Sequence, residues 1–418
     1  MFGLELTLLS LAQAGGLLAR RELSPVDLVQ AHLDRIGAVD PIINSFITVT
    51  AEAALCEAEA AEAAIAQGGY RGPLHGIPLG LKDLFETAGV QTTAGSAFLR
   101  GNVPAKDAAA VRRLKNAGAI SLGKLNMHEW AMSVTNVNPH YGDCRNPWDP
   151  ARIPGGSSGG SGAALAAGLC MGALGSDTAG SIRIPAALCG IVGLKPTYGR
   201  ISSLGVLPLS WNMDHAGPMA RTVRDTALLL QALAGYDPAD PYSASQPVDD
   251  YLAGLDGGVR GWRIGLALDS FLPPDRPVDP EVAAAVRQAA AVFESLGASV
   301  VEVAFPEMQD IWRQNSCILM SDALAYHQER FREQPGLFGE DVLAALTRAA
   351  GYSAVDYAGA RRVQAKVRRS FEAFWGGFDL LLTPTTPVAA PLIDEGAEAR
   401  RRPSLISLTA PFNFVSQP

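Results

Sequence analysis

Cysteine and histidine are scarce in this sequence, and neither is arranged as a disulfide or metal framework. The five cysteines are odd in number, scattered and without CxxC spacing: Cys56, Cys144, Cys170, Cys189 and Cys317. In a chain of 418 residues this pattern is typical of reduced thiols rather than of disulfides or a zinc site. The six histidines form no HxxxH or HxH pair, which argues against a metal hydrolase. We therefore expect neither a metal nor another cofactor.

Basic charge and long apolar runs are also in short supply. Lys and Arg number 34 against 42 Asp and Glu, so the net charge is −8. Nucleic acids and anionic membranes are bound by clustered cations, so we expect neither as a partner. No uncharged apolar run reaches the roughly 18 residues of a membrane span. The N-terminal stretch lacks a basic region and carries Glu5, which indicates a first helix rather than a signal peptide. The sequence thus predicts a cytoplasmic protein.

The order of the predicted elements indicates an α/β fold. At roughly 150 residues per domain the length suggests two or three domains, although α/β chains of this size can form one. Ser24 and Pro25 are typical of a helix start. Further helices are predicted at 51–66, 108–118, 163–172, 281–296 and 354–375, and strands at 76–83, 119–123, 262–268, 299–305 and 379–382. Helices alternating with strands predict parallel pairing in much of the sheet.

A glycine- and serine-rich tract, GGSSGGSG at 155–162, is the first candidate for chemistry. A linker is disfavoured because the sequence on both sides looks like core. A phosphate-binding loop requires GxxxxGK[ST], and no lysine follows these glycines. An α/β-hydrolase nucleophile elbow requires GxSxG, which fits with Ser158 at its centre. That fold also requires a preceding strand, whereas 146–150 is rich in turn residues, and the downstream His215 and His327 have no obvious acidic partner.

The sequence resembles the amidase signature family over essentially its whole length. Residues 155–200 reproduce the family signature, and an upstream family element that ends in Lys-Asp is matched by residues 79–83. Further matching stretches are SPVDLV from 24, GPLHGIP at 72–78, LGKLNMHEWAM at 122–132, RNPWDP at 145–150 and DLLLTPTTP at 379–387. The resemblance implies one amidase signature domain over 1–418, with a mixed, largely parallel twisted β-sheet core flanked by many α-helices. Its expected parts are an N-terminal helical part (about 1–70), a catalytic core (about 71–235) and a C-terminal α/β part (about 260–418).

The resemblance implies a Ser–Ser–Lys catalytic triad. Ser181 would be the nucleophile, Ser157 the bridging serine after a cis peptide bond from Gly156, and Lys82 the base. A serine hydroxyl needs a neighbouring base to take its proton. A lysine, with an ordinary pKa of about 10.4, is a base at neutral pH only where burial lowers that pKa. Lys82 lies in an apolar run that predicts such burial, and Asp83 should point to the opposite face of the strand.

The resemblance also implies an oxyanion hole built from the backbone N–H groups of Thr178, Ala179, Gly180 and Ser181. The family most often has glycine where this chain has Ala179, and we expect that position to have an ordinary negative φ. Three further residues are expected to support the site: Ser158 in the hydrogen-bond network of Lys82, and Asp177 and Arg183 as local scaffolding.

The resemblance leaves the substrate open. The family includes small-amide, aryl-amide, fatty-acid amide, allophanate and carbamate-type hydrolases, and the A subunit of the glutamyl-tRNA amidotransferase. The stretches 131–142 and 361–387 favour a free-standing amidase, and the alternative is that amidotransferase subunit. Residues 126–141, 203–215 and 312–328 are expected to shape an apolar pocket for aryl amides, esters or carbamates (urethanes), with lining residues Trp130, Met132, Ser133 and Trp211. The expected partner is a small-molecule amide, and a homodimer is left open.

The end of the sequence raises one further expectation. The segment SLTAPFNFVSQP resembles one that, in relatives, leads into another strand and several dozen more residues. Either the protein is naturally short or the sequence is incomplete. Loss of a central strand would expose a sheet edge and part of the core.

Overall fold

The structure is a computed structural model that describes residues 2–272, 277–305, 311–394 and 405–418. The helices in these ranges are α1 Phe2–Leu8, α2 Leu11–Ala19, α3 Pro25–Ile43, α4 Ala51–Ala66, α5 Ala109–Asn116, α6 Gly159–Ala166, α7 Arg183–Cys189, α8 Val223–Leu233, α9 Pro280–Ser295, α10 Ile311–Glu333, α11 Glu340–Ala349, α12 Ala354–Phe374 and α13 Ala410–Phe414. The strands are β1 Phe46–Val49, β2 Pro78–Lys82, β3 Ile120–Leu125, β4 Gly172–Asp177, β5 Val192–Gly193, β6 His215–Ala220, β7 Arg263–Leu266, β8 Ser299–Glu302 and β9 Leu380–Leu382.

A six-stranded mixed sheet forms the centre of the catalytic part. Its strand order is β1-β3-β2-β4-β6-β5. The central strand β2 runs parallel to both β3 and β4, whereas the outer pairings are antiparallel. Every residue of β2 and of β4 is buried, as expected for strands covered on both faces. Because parallel strands end at the same sheet edge, the carboxyl ends of β2, β3 and β4 lie together, and a site is expected there.

Helices cover both faces of this sheet. One apolar cluster joins residues of α2, α5 and α8 to Leu79 and Leu81 of β2. A second cluster joins residues of α3, α4 and α6 to Leu122 of β3 and Ala173 of β4. The two clusters fix the register of the strands, because a slip by one residue would exchange the faces of every side chain.

A second, three-stranded sheet lies in the C-terminal part. Its order is β8-β7-β9, and both of its pairings are parallel. An aromatic cluster beside it stacks Phe305 on Phe371 at a centroid distance of 5.0 Å and on Phe271 at 5.4 Å. Phe412 and Phe414 of α13 belong to the same cluster. The C-terminal helix is thereby packed into the core beside α12.

The predicted fold class is confirmed, and most predicted elements lie within a few residues of the observed ones. Ser24 caps α3 through the backbone N–H groups of Val26 and Asp27. Parallel pairs account for four of the seven strand pairings. The strands form two sheets, and β1, from the part expected to be helical, pairs with β3. Residues 236–260 contain no helix or strand.

The helix predicted at 163–172 is wrong in its bounds. The observed helix α6 spans Gly159–Ala166, and Gly172 already belongs to β4. The glycines of the tract allow the early start because they let α6 approach the end of β3. A Cβ atom at Gly160 would lie 2.4 Å from the Asn126 carbonyl oxygen and 2.6 Å from that of Ser45. Residues 159–162 of the tract are therefore the first turn of a tightly packed helix.

None of the helices in the described ranges combines the length and the apolar character that a membrane span requires.

Candidate active site

Lys82 is fully buried at the carboxyl end of β2. Its Nζ lies 2.7 Å from Ser157 Oγ and 2.8 Å from Ser176 Oγ. Burial lowers the pKa of Lys82 from 10.5 to about 7, although the carboxylates of Asp177 and Asp214 act to raise it. A substantial fraction of this amine is therefore uncharged at neutral pH and can accept a proton.

Ser157 precedes α6 and is fully buried beside the amine. The peptide bond between Gly156 and Ser157 is cis. The Ser157 carbonyl oxygen accepts a hydrogen bond of 3.2 Å from the backbone N–H of His128, which follows β3. Residues from the ends of β2 and β3 thus fix this serine from two sides.

Ser181 lies in the turn between β4 and α7. The N–H of Ser158 donates to the Ser181 carbonyl oxygen at 3.2 Å. This bond joins the tract that carries Ser157 to the turn that carries Ser181. Ser181 is also buried, with 4% of its surface exposed.

Asp177 organises the turn from its interior. Its carboxylate forms a two-point ion pair with Arg183, at 2.9 Å to Nη2 and 3.0 Å to Nε. The same carboxylate accepts backbone N–H bonds from Gly180 at 2.8 Å and from Ile182 at 3.1 Å. Burial alone would raise the pKa of Asp177, but the Arg183 guanidinium outweighs it and holds that pKa well below its usual range. Asp177 is therefore a fixed anion that shapes the turn.

The C-terminal segment (405–418) contacts the outer side of the same turn. Thr409 Oγ1 donates to the Ala179 carbonyl oxygen at 2.6 Å. Asn413 Nδ2 donates to the Asp177 backbone oxygen at 3.0 Å, and its Oδ1 accepts from Arg183 at 2.6 Å. Both residues are buried, so these bonds hold the turn against the packed C-terminal segment.

This arrangement provides the groups needed for acyl transfer. A buried hydroxyl, that of Ser157, and the buried amine of Lys82 meet at the end of β2, and the turn after β4 carries a second serine, Ser181. Backbone N–H groups lie in the adjoining turn. Within the described ranges, no cluster of three or more His, Cys, Asp or Glu residues could hold a metal ion.

Comparison with known families decides the assignment of the chain. The family model described as Amidase matches residues 27–418. The chain belongs to the amidase family. As a member of it, this amidase is a hydrolase of carbon–nitrogen amide bonds.

The relatives of this amidase carry two kinds of description. It is 43% identical to the A subunit of the glutamyl-tRNA(Gln) amidotransferase of Geobacter sp. (strain M21), over 91% of this chain and 83% of that protein. Among solved structures, one described as a vestigial protein complex that reveals the origins of an s-triazine catabolic enzyme is 36% identical, with a TM-score of 0.92 over 98% of this chain and 89% of that one. Another, described as an amidase, is also 36% identical, with a TM-score of 0.87 over 98% and 90%.

These relatives favour the alternative of the sequence analysis over its main prediction. Eight curated relatives between 41% and 44% identical bear the name of the A subunit of glutamyl-tRNA(Gln) amidotransferase. The preference for a free-standing amidase, based on 131–142 and 361–387, is therefore not supported by them. The expectation that the amidase has no nucleic-acid partner is likewise not supported.

The structure brings Lys82 and Ser157 together as the resemblance implied, and it refines the supporting roles. Ser158 does not contact Lys82 directly in the described structure. Its hydroxyl bonds the backbone of Ser176, whose own hydroxyl is the second partner of Lys82. Asp83 instead accepts bonds from Thr93 and lies 3.9 Å from the buried Lys124, so it is engaged away from Lys82.

Two of the predicted site roles need correction. The Gly180 N–H is already donated to Asp177, which leaves Thr178, Ala179 and Ser181 as the proposed oxyanion donors. Ala179 has no positive φ, as expected. Trp130 is 2% exposed and packs on His327 at 4.5 Å, which places its ring in the core instead of at a pocket surface. Met132, Ser133 and Trp211 are partly buried, and their pocket role stays a prediction.

Four residues without a predicted role also contribute to the site: Ser176, Asp214, Thr409 and Asn413. Ser176 could have been found from topology, because it lies near the carboxyl end of a strand parallel to β2. Asp214 precedes β6, and Asp177 pairs with His215 in that ladder, so Asp214 comes next to the turn. The two C-terminal residues are more than 220 positions from the turn, and no local pattern predicts such contacts.

Gly180→Ala is expected to destabilise the protein and to displace the turn. Gly180 has a φ of +136°, and a Cβ there would lie 2.2 Å from Thr409 Oγ1. Strain and overpacking together should lower the free energy of unfolding by about 2–4 kcal/mol, measured by urea titration. Gly89→Ala is the matched control, because Gly89 also has a positive φ but open space around its Cβ. Equal losses for the two variants would show that the Thr409 contact is unimportant.

Proposed function

We propose that this chain cleaves an amide bond by forming an acyl ester on Ser181, with Ser157 as proton relay and Lys82 as base. The observation that carries the proposal is the 2.7 Å contact between Lys82 Nζ and Ser157 Oγ inside a fully buried site. An amine deprived of water is the kind of base that can activate a serine near neutral pH.

The proposed steps follow from these positions. Ser181 Oγ attacks the carbonyl carbon as its proton passes to Ser157 and the proton of Ser157 passes to Lys82. The negative charge that develops on the carbonyl oxygen is stabilised by N–H groups of the turn, where one donor is typically worth on the order of 10²–10³ in rate. The protons then return through Ser157 to the leaving nitrogen as the C–N bond breaks. Water releases the acyl group by the same route in reverse.

The pH dependence of kcat/KM is expected to show an acidic limb near the pKa of Lys82. That pKa is lowered to about 7 by burial, and the amine must be neutral to accept a proton. Activity should therefore rise with pH up to about pH 7 and then level off. The profile would be measured for amide hydrolysis between pH 5 and 10, with unfolding monitored by circular dichroism at each pH. A rate that continues to climb towards pH 10 would mean that Lys82 has an ordinary pKa and is not the base.

We propose glutamine as the amide cleaved, with the chain acting as the A subunit of a glutamyl-tRNA amidotransferase. The names of the curated relatives support this choice, and so does the share of their length, 81–90%, that this chain covers. In that role the chain would act with partner subunits, which would use the released ammonia on glutamyl-tRNA.

A free-standing amidase is the second candidate, favoured by the 36% identity and TM-score of 0.87 to a structure described as an amidase. The two candidates are separated by assaying the chain alone and together with the other amidotransferase subunits from the same genome. Substrates would be glutamine with glutamyl-tRNA, and a panel of p-nitroanilides, primary amides and carbamates. Glutamine cleavage that depends on the other subunits and on tRNA is expected. Rapid cleavage of an aryl amide or carbamate by the isolated chain, with glutamine inert under both conditions, would establish the second candidate instead.

A further inference from the structure

Asp214 is a carboxylate beside the site that the steps above do not use. It lies in the loop before β6 and accepts three hydrogen bonds. Its Oδ1 accepts from Thr178 Oγ1 at 2.6 Å, and its Oδ2 accepts from the backbone N–H groups of Leu209 at 2.8 Å and Ser210 at 3.0 Å. Both carboxyl oxygens are therefore held in fixed positions.

The bond to Thr178 connects Asp214 to the oxyanion turn (178–181). Asp177 pairs with His215 across the antiparallel ladder of β4 and β6. Thr178 and Asp214 are the next residues beyond this pair, so the end of the ladder brings them together. Thr178 is the first residue of the turn, and its hydroxyl is the link from the turn to the loop before β6.

Asp214 also lies on the Lys82 side of the turn: its partner Thr178 is two residues after Ser176, whose hydroxyl is 2.8 Å from Lys82 Nζ. Two carboxylates interact with this amine, those of Asp177 and Asp214. Asp177 is already paired with Arg183, whereas Asp214 has no cationic partner within hydrogen-bond distance in the described part of the chain. Burial raises the pKa of Asp214 to about 6, and Lys82 acts in the opposite direction. Among the described residues, Tyr198 also faces Asp214, and its pKa is raised by burial and by this carboxylate.

We propose that Asp214 is a positioning residue of the active site, which orients the oxyanion turn through the Thr178 hydroxyl and supplies negative charge beside Lys82. The inference rests on the proposed acyl transfer through Ser181. It differs from a purely structural role because it predicts two separable effects, one on rate alone and one on pH dependence.

The test measures the rate at which a fluorophosphonate probe labels Ser181, from pH 5 to pH 9. This reaction needs the activated serine but no knowledge of the natural amide. Asp214→Asn keeps a bond to Thr178, because its amide oxygen can accept from the Leu209 and Ser210 N–H groups while its NH2 group donates to the Thr178 hydroxyl. It removes the charge that favours protonated Lys82. The midpoint of its pH profile is therefore expected to move to lower pH by about one unit. Thr178→Val removes the hydroxyl and keeps the charge, so labelling should slow by at least about fivefold with an unchanged midpoint. Thr178→Ser restores the hydroxyl and should restore most of the rate.

Three results would overturn the inference: an Asp214→Asn midpoint equal to that of the parent protein, labelling of Thr178→Val at the parent rate, or a Thr178→Ser rate no better than that of the valine variant. If Asp214→Asn does not fold, the two Thr178 variants decide, and equal rates for them overturn the inference. Failure of the proposed function gives a different result, since the parent protein would then not be labelled at Ser181 at all.

Discussion

Ser181→Ala is expected to lower kcat/KM for amide hydrolysis by roughly 10⁴- to 10⁶-fold while leaving the fold intact. The variant removes the only atom proposed to bond the acyl group, and Ser181 is the only serine among residues 178–181. The loss of one hydroxyl from a residue that is 4% exposed should change the free energy of unfolding by only about 1 kcal/mol.

Ser161→Ala is the matched control for this variant. Ser161 is also buried, lies in α6 within the glycine- and serine-rich tract (155–162), and donates to the Leu174 carbonyl oxygen at 3.0 Å. Its loss should cost comparable stability and leave most of the activity. If Ser181→Ala kept activity within tenfold of the parent protein, Ser181 would not be the nucleophile.

Lys82→Met is expected to lower kcat/KM at pH 7.5 by on the order of 10²–10⁴. Methionine keeps much of the volume of the buried stem and removes the amine that receives the proton from Ser157. The remaining rate should lose the acidic limb near pH 7, because the titrating group is gone. Steady-state kinetics between pH 5 and 9 would measure both effects.

Lys124→Met separates this effect from the general consequence of removing a buried lysine. Lys124 lies on β3, is also fully buried, and bonds Thr87 at 3.1 Å and Thr92 at 2.9 Å. Its replacement leaves Asp83 without the ammonium 3.9 Å away, so the protein should lose stability but keep the acidic limb. A comparable loss of activity in both variants, measured on folded protein, would contradict the role of Lys82 as base.

The sequence predicted most elements of the fold because their signals are local. Residues 51–66 are rich in alanine and glutamate, which favour a helix, and Gly68 and Gly69 follow as a stop signal. The observed helix α4 has these predicted bounds, Ala51–Ala66. The bounds of α6 were missed because Gly160 reads locally as a breaker. Glycine is required at position 160 because the backbone of Asn126 approaches it closely in the folded chain, and this contact is not visible in the local sequence.

The chemistry of the site was predictable only where a motif carried it. Lys82, Ser157 and Ser181 each lie in a motif, and the resemblance named all three. The engagement of the Gly180 N–H by Asp177 follows from the curvature of the turn. The contact between Thr409 and Ala179 joins residues 230 positions apart. Neither could be read from residue types, because both depend on where the folded backbone brings one donor and one acceptor together.

The most direct test of the central claim is to map where a fluorophosphonate probe attaches to the folded chain at pH 8. If Ser181 is the nucleophile and Lys82 its base, peptide mass spectrometry will find a single adduct on Ser181, absent in Ser181→Ala and formed much more slowly in Lys82→Met. An adduct on another residue, or undiminished labelling of either variant, would contradict it.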